Sequence, residues 1–375
     1  MLFRSKIELK HDSKPVKSLP HRASPKQREL IDEEIEKLLE ADVIEPCHSP
    51  YSSPVLLVPK SMDEKGRPNQ YRLVIDYRKI NDQVKKSHLG PISIHDFFDT
   101  LGGTQGRRIK YFTTLDCVQG YLQIRMHEAS RDYTSFVTHS GQYRFKRCPM
   151  GLVTSSAQFI AIMNDLFRER LYKDVLVYLD DIICFSEDFD SHLETVEWVL
   201  NKLLKSKLKL KAPKCKFAQN KVKYLGHIVS EEGISPSEEK LHAILEYAPP
   251  KNAKQVKQIL GSFNFYRKFI PNFSKYSKCL TDLTRKNVPF IWTDECQRNF
   301  QILKEKLMTA PVTAFPRFTA EEGGLPKFNV YTDASKEALA AILTQVQDNN
   351  ERLISCVGRN MLPAECAIPR MKKRH

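Results

Sequence analysis

The 375-residue sequence predicts an α+β fold, and three observations carry that prediction. Strand-like runs alternate with helical patterns between about residues 111 and 230. A stretch from about Ser235 to Thr313 reads as helical, and strand-forming residues return from Lys327.

Each element has a local reason. The first helix is expected from about Pro25 to Ala41, with Ser24 as its cap and Pro25 at the first helical position. Leu30, Ile35, Leu38 and Leu39 fall near helical spacing. Strand-rich sequence follows from Val43 to Tyr77, broken between Met62 and Asn69 by a polar loop with Gly66 and Pro68. Tyr111 to Asp116 is a further strand. Val175–Tyr178 and Ile182–Phe185 form two more, meeting at Asp180 and Asp181 in the manner of a hairpin. Ser191 and Glu194 have the spacing of a capping box ahead of Leu193, Val196, Val199, Leu200, Leu203 and Leu204. That helix runs into Lys202, Lys205, Lys207, Lys209, Lys211, Lys214 and Lys216, either a solvated basic face or a set of phosphate contacts. Helices are expected around Leu241, Ile244 and Leu245, then over Val256 to Phe269 and Glu295 to Leu307, with Pro249-Pro250 separating the first two. Phe328, Val330 and Tyr331 before Asp333, and then Ala338 to Gln345, read as strands again.

Composition narrows the class. With 41% hydrophobic and 28% charged residues the chain has the make-up of an ordinary globular protein. Lys and Arg outnumber Asp and Glu by 59 to 45, a net charge of +14 that favours a polyanionic partner. The nine cysteines are scattered without a Cys-x-x-Cys pair, which argues against a disulfide framework or a zinc ribbon. No apolar signal segment and no run of about 18 apolar residues occurs, so no membrane is expected among the partners.

The chemistry concentrates at Asp180 and Asp181. An ordinary acidic dipeptide is a solvated turn, but this one is flanked on both sides by apolar strands that place it at the end of a buried sheet. Two carboxylates about 4 Å apart repel by roughly 4 kcal/mol at an effective dielectric of about 20, which calls for a cation or a raised pKa. Magnesium, which prefers hard oxygen ligands, is the expected cation. Asp116 ends another apolar strand, and three converging carboxylates make a two-metal site suited to in-line phosphoryl displacement, the reaction of a polymerase.

Around these residues short motifs follow one another in a fixed order. Ser49-Pro50-Tyr51-Ser52-Ser53-Pro54 leads into Val55-Leu56-Leu57-Val58-Pro59-Lys60, then Tyr71-Arg72-Leu73-Val74-Ile75-Asp76-Tyr77-Arg78. Gly120-Tyr121-Leu122-Gln123-Ile124, Pro149-Met150-Gly151-Leu152, Tyr178-Leu179-Asp180-Asp181 and Tyr224-Leu225-Gly226-His227 come next. Phe265-Tyr266-Arg267-Lys268-Phe269-Ile270-Pro271-Asn272-Phe273 and Tyr331-Thr332-Asp333-Ala334-Ser335 complete the series. Over nearly its whole length the chain resembles the polymerase region of a Ty3/gypsy-type retrotransposon Pol polyprotein, a reverse transcriptase followed by the beginning of a ribonuclease H domain.

That resemblance implies a right-hand polymerase of fingers, palm and thumb, then a helical connection and a partial ribonuclease H-like α/β domain. The implied boundaries are 1–232 for fingers and palm, 233–318 for thumb and connection, and 319–375 for the truncated ribonuclease H-like part. Asp116, Asp180 and Asp181 take the positions of the catalytic metal ligands, with the Cys117 carbonyl as a further ligand and Asp180 as the indispensable member of the pair. The implied cofactor is magnesium, two ions per site, with manganese as a substitute. Arg72 matches the residue that grips the triphosphate, a task suited to a planar multidentate donor. Lys60 and Lys65 are neighbouring candidates for phosphate contact, and Gln119 and Gly120 would offer main-chain amides. Tyr121 matches the aromatic that packs under the deoxyribose and excludes a 2′-hydroxyl; from the residues alone it reads as core. Met150 departs from the commoner phenylalanine, or glutamine in retroviruses, and should line the sugar pocket. Tyr224, Leu225, Gly226 and His227 resemble the primer grip, where misplacement by about 1 Å can cost about 10²-fold, although His227 also suits an ordinary polar position near a turn. Asp333 matches the first carboxylate of a ribonuclease H site.

The function this implies is RNA- and DNA-directed DNA synthesis by an LTR retrotransposon enzyme. Its partners would be an RNA template, a DNA primer-template and deoxynucleoside triphosphates, in an intracellular setting, either cytoplasmic or within virus-like particles. Two alternatives stand beside it. An RNA-dependent RNA polymerase shares the palm and the acidic pair, though Tyr121 opposes it, and an inactive remnant would only bind nucleic acid.

Ribonuclease H activity is expected to be absent. The family follows a segment like Arg359 to Glu365 with a tyrosine and a Glu-Lys-Glu run, whereas this chain continues Ala367-Ile368-Pro369-Arg370-Met371-Lys372-Lys373-Arg374-His375. Met371 must be ATG and Lys372 must begin AA, so the frame starting at the last base of the methionine codon necessarily encodes glutamate. Permitted codons for its neighbours give Tyr-Ser-Thr-Asp-Glu-Lys-Glu-Ala, the missing motif. One nucleotide lost or gained near Cys366 accounts for the basic tail.

Overall fold

The computed structural model describes residues 4–62, 68–85, 90, 93–103, 108–318, 327–335, 338–361 and 365. The chain forms two compact units, one of Met1–Ile92, Thr113–Cys184 and Leu193–Phe217, the other of Ser93–Phe112, Phe185–His192 and Ala218–His375.

In the first unit the helix Pro25–Glu40 starts as the sequence predicts. Ser24 and Gln27 form a reciprocal capping box, Pro25 occupies the first turn, and Ile31 and Ile35 are the buried anchors. A five-stranded sheet runs in the order Ile44–Pro46, Gln142–Phe145, Phe136–Val137, Ser53–Met62, Pro68–Ile75. A four-stranded sheet follows in the order Lys216–Gln219, Tyr111–Asp116, Asp181–Ser186, Val175–Tyr178. The helix Ser155–Phe167 adds Phe159, Met163 and Phe167 to the core, all fully buried.

The helix Phe189–Lys205 corrects the expected start. The Asp188 carboxylate accepts the Ser191 amide at 2.9 Å, so Asp188 does the capping and the Ser191–Glu194 box does not form. The buried stripe is His192, Thr195, Val196, Val199 and Leu203, while Leu193, Leu200 and Leu204 are exposed. Two polar residues thus take places where apolar periodicity would have put leucines.

In the second unit Lys221–Tyr224, His227–Ser230 and Gly233–Pro236 form an antiparallel three-stranded sheet. Helices Glu238–Leu245, Ala253–Phe265 and Asp294–Met308 are present, with two more that the sequence reading did not name, Ile94–Gly103 and Phe273–Asp282. Only Phe273 and Leu280 among the buried residues of the latter are large and apolar, beside Ser274 and Ser277, too little for a periodic signal. The last sheet joins Phe328–Ala334, Ala338–Gln347 and Asn350–Asn360. Its central strand continues to Gln347 because Asp348 and Asn349, both at positive φ, make the two-residue turn that launches the third strand.

A short strap, residues 313–317, is bonded on two sides. Thr313 exchanges main-chain hydrogen bonds with Ile234 at 2.8 and 2.9 Å, Ala314 donates to Leu353 at 2.7 Å, and the Gln345 and Gln347 side chains donate to the Arg317 and Phe315 carbonyls at 2.7 Å. Gly233 has φ of +129° and lies where any Cβ would collide with the Thr313 carbonyl oxygen. The eight described cysteines are free thiols. Among the described residues no helix is long and apolar enough to cross a membrane.

Candidate active site

Two strands and one loop assemble the acidic centre in the first unit. Tyr178 and Asp181 pair across the hairpin, so Leu179 and Asp180 form its two-residue turn, with Leu179 at φ of +55°. The Cys117 amide approaches the Asp180 carbonyl at 3.4 Å, which draws the end of the Tyr111–Asp116 strand to that turn. Gly120 is buried just beyond; a Cβ there would come within 3.0 Å of the Phe159 ring and 3.3 Å of Asp180 Cβ. Glycine at this position lets the turn close over the loop.

The acids feel one another. Burial first, then the charges of Asp180 and Asp116, push the Asp181 carboxyl up to about 6. Burial and the same acids push the Cys117 thiol up to about 12, so it is no nucleophile. Lys214 answers the excess negative charge: its Nζ lies 2.9 Å from Asp116 Oδ2, and this bond raises the lysine pKa. Lys214 is held there by the loop behind it. The Lys211 and Val118 amides donate to the Asp116 and Lys209 carbonyls, and Gln123 spans the gap, its amide donating to the Val118 and Lys209 carbonyls while its oxygen accepts the Lys209 amide at 2.6 Å.

This donor set of hard carboxylate oxygens, with an ammonium standing where positive charge is needed, fits a divalent cation. Among the described residues no three His, Cys, Asp or Glu side chains are gathered into a group that could hold a metal ion, and Asp116 is turned to Lys214.

The other candidates are placed as follows. Tyr121 is half-buried, edge-on to Phe159 with ring centroids 5.4 Å apart, and its hydroxyl is pushed up by burial and by Asp180. The ring packs as a core aromatic would, and its hydroxyl lies within electrostatic reach of Asp180. Gln119, at φ of +44°, caps the 3-10 turn Gly120–Gln123. Arg72 is exposed on its strand opposite Val58. Met150 is 50% exposed in a loop pinned by Asn81, which bonds the Gly151 carbonyl and the Val153 amide. Lys60 falls at an irregularity in strand pairing, and its side chain, like Lys65, lies outside the described residues.

In the basic run Lys202 pairs with Glu169 and covers the Trp198 ring, and Lys214 serves Asp116; Lys205, Lys207, Lys209, Lys211 and Lys216 are exposed. In the second unit Tyr224 and His227 are buried at the ends of a hairpin whose turn is Leu225-Gly226. Asp333 is exposed on the edge strand of the last sheet, and residues 366–375 lie outside the described residues. Lys214, Gln123 and Phe159 are the site residues that sequence reasoning missed. Gln123 stood inside a quoted motif, which was the available signal.

Comparison with known proteins agrees with this geometry. Residues 58–229 match the family described as reverse transcriptase (RNA-dependent DNA polymerase), and residues 292–375 match an RNase H-like domain found in reverse transcriptase. The chain is 36% identical over 364 residues to the retrovirus-related Pol polyprotein from transposon 412 of Drosophila melanogaster, covering 97% of this chain and 28% of that protein. It is 34% identical over 348 residues to the Pol polyprotein from transposon gypsy of the same fly, covering 89% of this chain and 32% of the relative. The chain therefore spans about a third of the length of these relatives. Among solved structures, the foamy viral protease-reverse transcriptase in complex with RNA/DNA hybrid superposes with a TM-score of 0.80 at 25% identity, covering 96% of this chain and 46% of that one. These matches do not favour the RNA-polymerase or inert-remnant readings. Reverse transcriptases as a family use divalent metal ions, which suits the acidic centre. The chain belongs to the reverse transcriptase family and carries the reverse transcriptase and RNase H-like domains, in the region it shares with retrotransposon Pol polyproteins.

Proposed function

We propose that this chain extends a DNA primer by deoxynucleotides on both RNA and DNA templates, at a site holding two magnesium ions. The observation that carries the reading is the meeting of Asp116 with the Leu179-Asp180 turn beside a half-buried Tyr121. Asp116, Asp180 and Asp181 would hold the ions, with the Cys117 carbonyl as a further ligand. When bound, the metal supplies the charge that acidifies the attacking hydroxyl and stabilises the leaving pyrophosphate.

The protein's own groups do the rest. Arg72, exposed on its strand, and the main-chain amides of Gln119 and Gly120 would grip the triphosphate, while Tyr121 and Met150 bound the sugar. Tyr224 to His227 would position the primer terminus. The net charge of +14 supports a long polyanionic partner, and the solved relative's RNA/DNA hybrid is a fitting one. An intracellular setting, which keeps thiols reduced, suits the free cysteines.

The test is single-nucleotide extension by the parent and by Asp180→Asn, a nearly isosteric change that removes a metal ligand. Extension should fall by at least about 10³-fold with primer-template affinity nearly intact, because affinity depends on basic residues elsewhere. Residual incorporation within tenfold of the parent would sink the metal-ligand role of Asp180.

A further inference from the structure

The turn between Tyr224 and His227 is conformationally demanding. Leu225 and Gly226 both have positive φ, 46° and 77°, and a leucine there persists only where its surroundings fix it. The fixing groups come from the motif Phe265 to Phe269. Tyr266, 2% exposed, donates its hydroxyl to the Gly226 carbonyl at 2.8 Å, and the Ser237 amide donates to the same oxygen at 3.3 Å. The His227 ring, 2% exposed, has the rings of Phe98, Phe265, Tyr266 and Phe269 around it at centroid distances of 4.9, 5.0, 5.4 and 5.8 Å. His227 Nδ1 lies 3.0 Å from the Leu225 carbonyl oxygen, so the imidazole clamps the turn from inside. Lys268 lies over Phe98 and Phe269, at 5.0 and 5.1 Å, and closes the box.

A purely structural aromatic at 266 would need only its ring. Here the hydroxyl reaches a carbonyl in the middle of the turn, forty residues away in sequence, and fixes the orientation of the Leu225-Gly226 main chain. We propose that Tyr266 is a positioning residue for the 224–227 turn, its hydroxyl and ring holding the Gly226 carbonyl and the His227 imidazole so that one turn conformation meets the primer terminus. The proposal rests on the primer-grip reading of that turn.

The experiment uses the full chain with a primer carrying 2-aminopurine at its 3′ end, and compares the parent, Tyr266→Phe, Gly226→Ala and Phe263→Leu. Tyr266→Phe removes one hydroxyl. It should lower the maximal incorporation rate about tenfold while the deoxynucleotide KM and primer-template Kd stay within twofold, and should change the terminal fluorescence. Gly226→Ala, which sets a Cβ 3.4 Å from Phe265 in a left-handed backbone, should give the same split. Phe263→Leu, at a fully buried site against Phe300, is the packing control; it should lower Tm and leave rate and fluorescence unchanged. An unchanged rate and fluorescence in Tyr266→Phe overturns the inference, as does a rate loss in Phe263→Leu that matches it at equal Tm. A parent that fails to extend primers overturns the primer-grip reading along with it.

Discussion

Lys214 donates to Asp116 across 2.9 Å, so the first carboxylate of the acidic centre brings its own counter-cation. Positive charge at that place is supplied by the protein and would have to yield to any metal held by Asp116. Lys214 is 57% exposed, and solvent screening keeps such a pair weak. Lys214→Met should therefore tighten manganese binding only about two- to five-fold, read by paramagnetic resonance titration of the free ion. Unchanged affinity would mean that the lysine and the metal do not compete.

Asp181 sets a pH dependence. Its carboxyl is raised to about 6 in the folded protein, so the fold binds the proton more tightly than the unfolded chain does. The sign follows from linkage: between about pH 4 and 6 the metal-free protein loses stability as pH rises, and the ionised Asp181 carboxylate then favours a cation. Magnesium-induced stabilisation in thermal melts should be small at pH 5 and grow through pH 6 to a plateau above pH 7. A magnesium effect of equal size at pH 5 and pH 7.5 would show that Asp181 lies outside the metal's reach.

Tyr121→Val should open room for a 2′-hydroxyl and raise ribonucleotide use relative to deoxynucleotide use by at least about tenfold, equivalent to about 1.4 kcal/mol of lost discrimination. Stability should drop by about 1–3 kcal/mol, since the edge-on contact with Phe159 is lost. Unchanged sugar discrimination in single-nucleotide kinetics would reduce Tyr121 to its packing role.

Cleavage of RNA in a hybrid should be undetectable with the purified chain. Two-metal hydrolysis needs several carboxylates, and on the three strands of the last sheet Asp333 has only Glu351 for company. That carboxylate is engaged, accepting Thr344, Tyr331 and Asn329 at 2.5, 2.8 and 3.0 Å, which holds its pKa down. Coding DNA read past Cys366 in the alternative frame should recover the Glu-Lys-Glu run. An unrelated, stop-rich sequence there, or hybrid cleavage by the chain, would refute the frame change.

The acidic centre was legible because an Asp-Asp pair between two apolar strands is a local pattern, and the Leu179-Asp180 turn forms where that pattern puts it. Lys214 was not, because seven lysines within fifteen residues look alike, and what sets Lys214 against Asp116 is a loop tied by main-chain bonds to Asp116 and Val118 and by the Gln123 bridge. The start of Phe189–Lys205 was misplaced because Asp188 and Ser191 are both good caps, and the choice depends on which residues the helix buries. Phe273–Asp282 escaped notice because small and polar residues fill half its buried face. Tyr266 sat in a motif plainly visible in the sequence, but its partner is a main-chain carbonyl forty residues away, which no side-chain pattern records.

The strap at 313–317 bears on how this protein can be recombined. A chimera that exchanges residues 319–375 alone would keep a host strap whose hydrogen-bonding partners, Gln345, Gln347 and Leu353, come from the donor. A cut at 232 would part Gly233 from the native residues before it but keep it with Thr313, whose carbonyl demands a glycine there. The transplantable cassette therefore begins before Gly233 and carries the strap and the last sheet together, and swaps made at the apparent sequence boundary near 318 should lose solubility where the longer cassette does not.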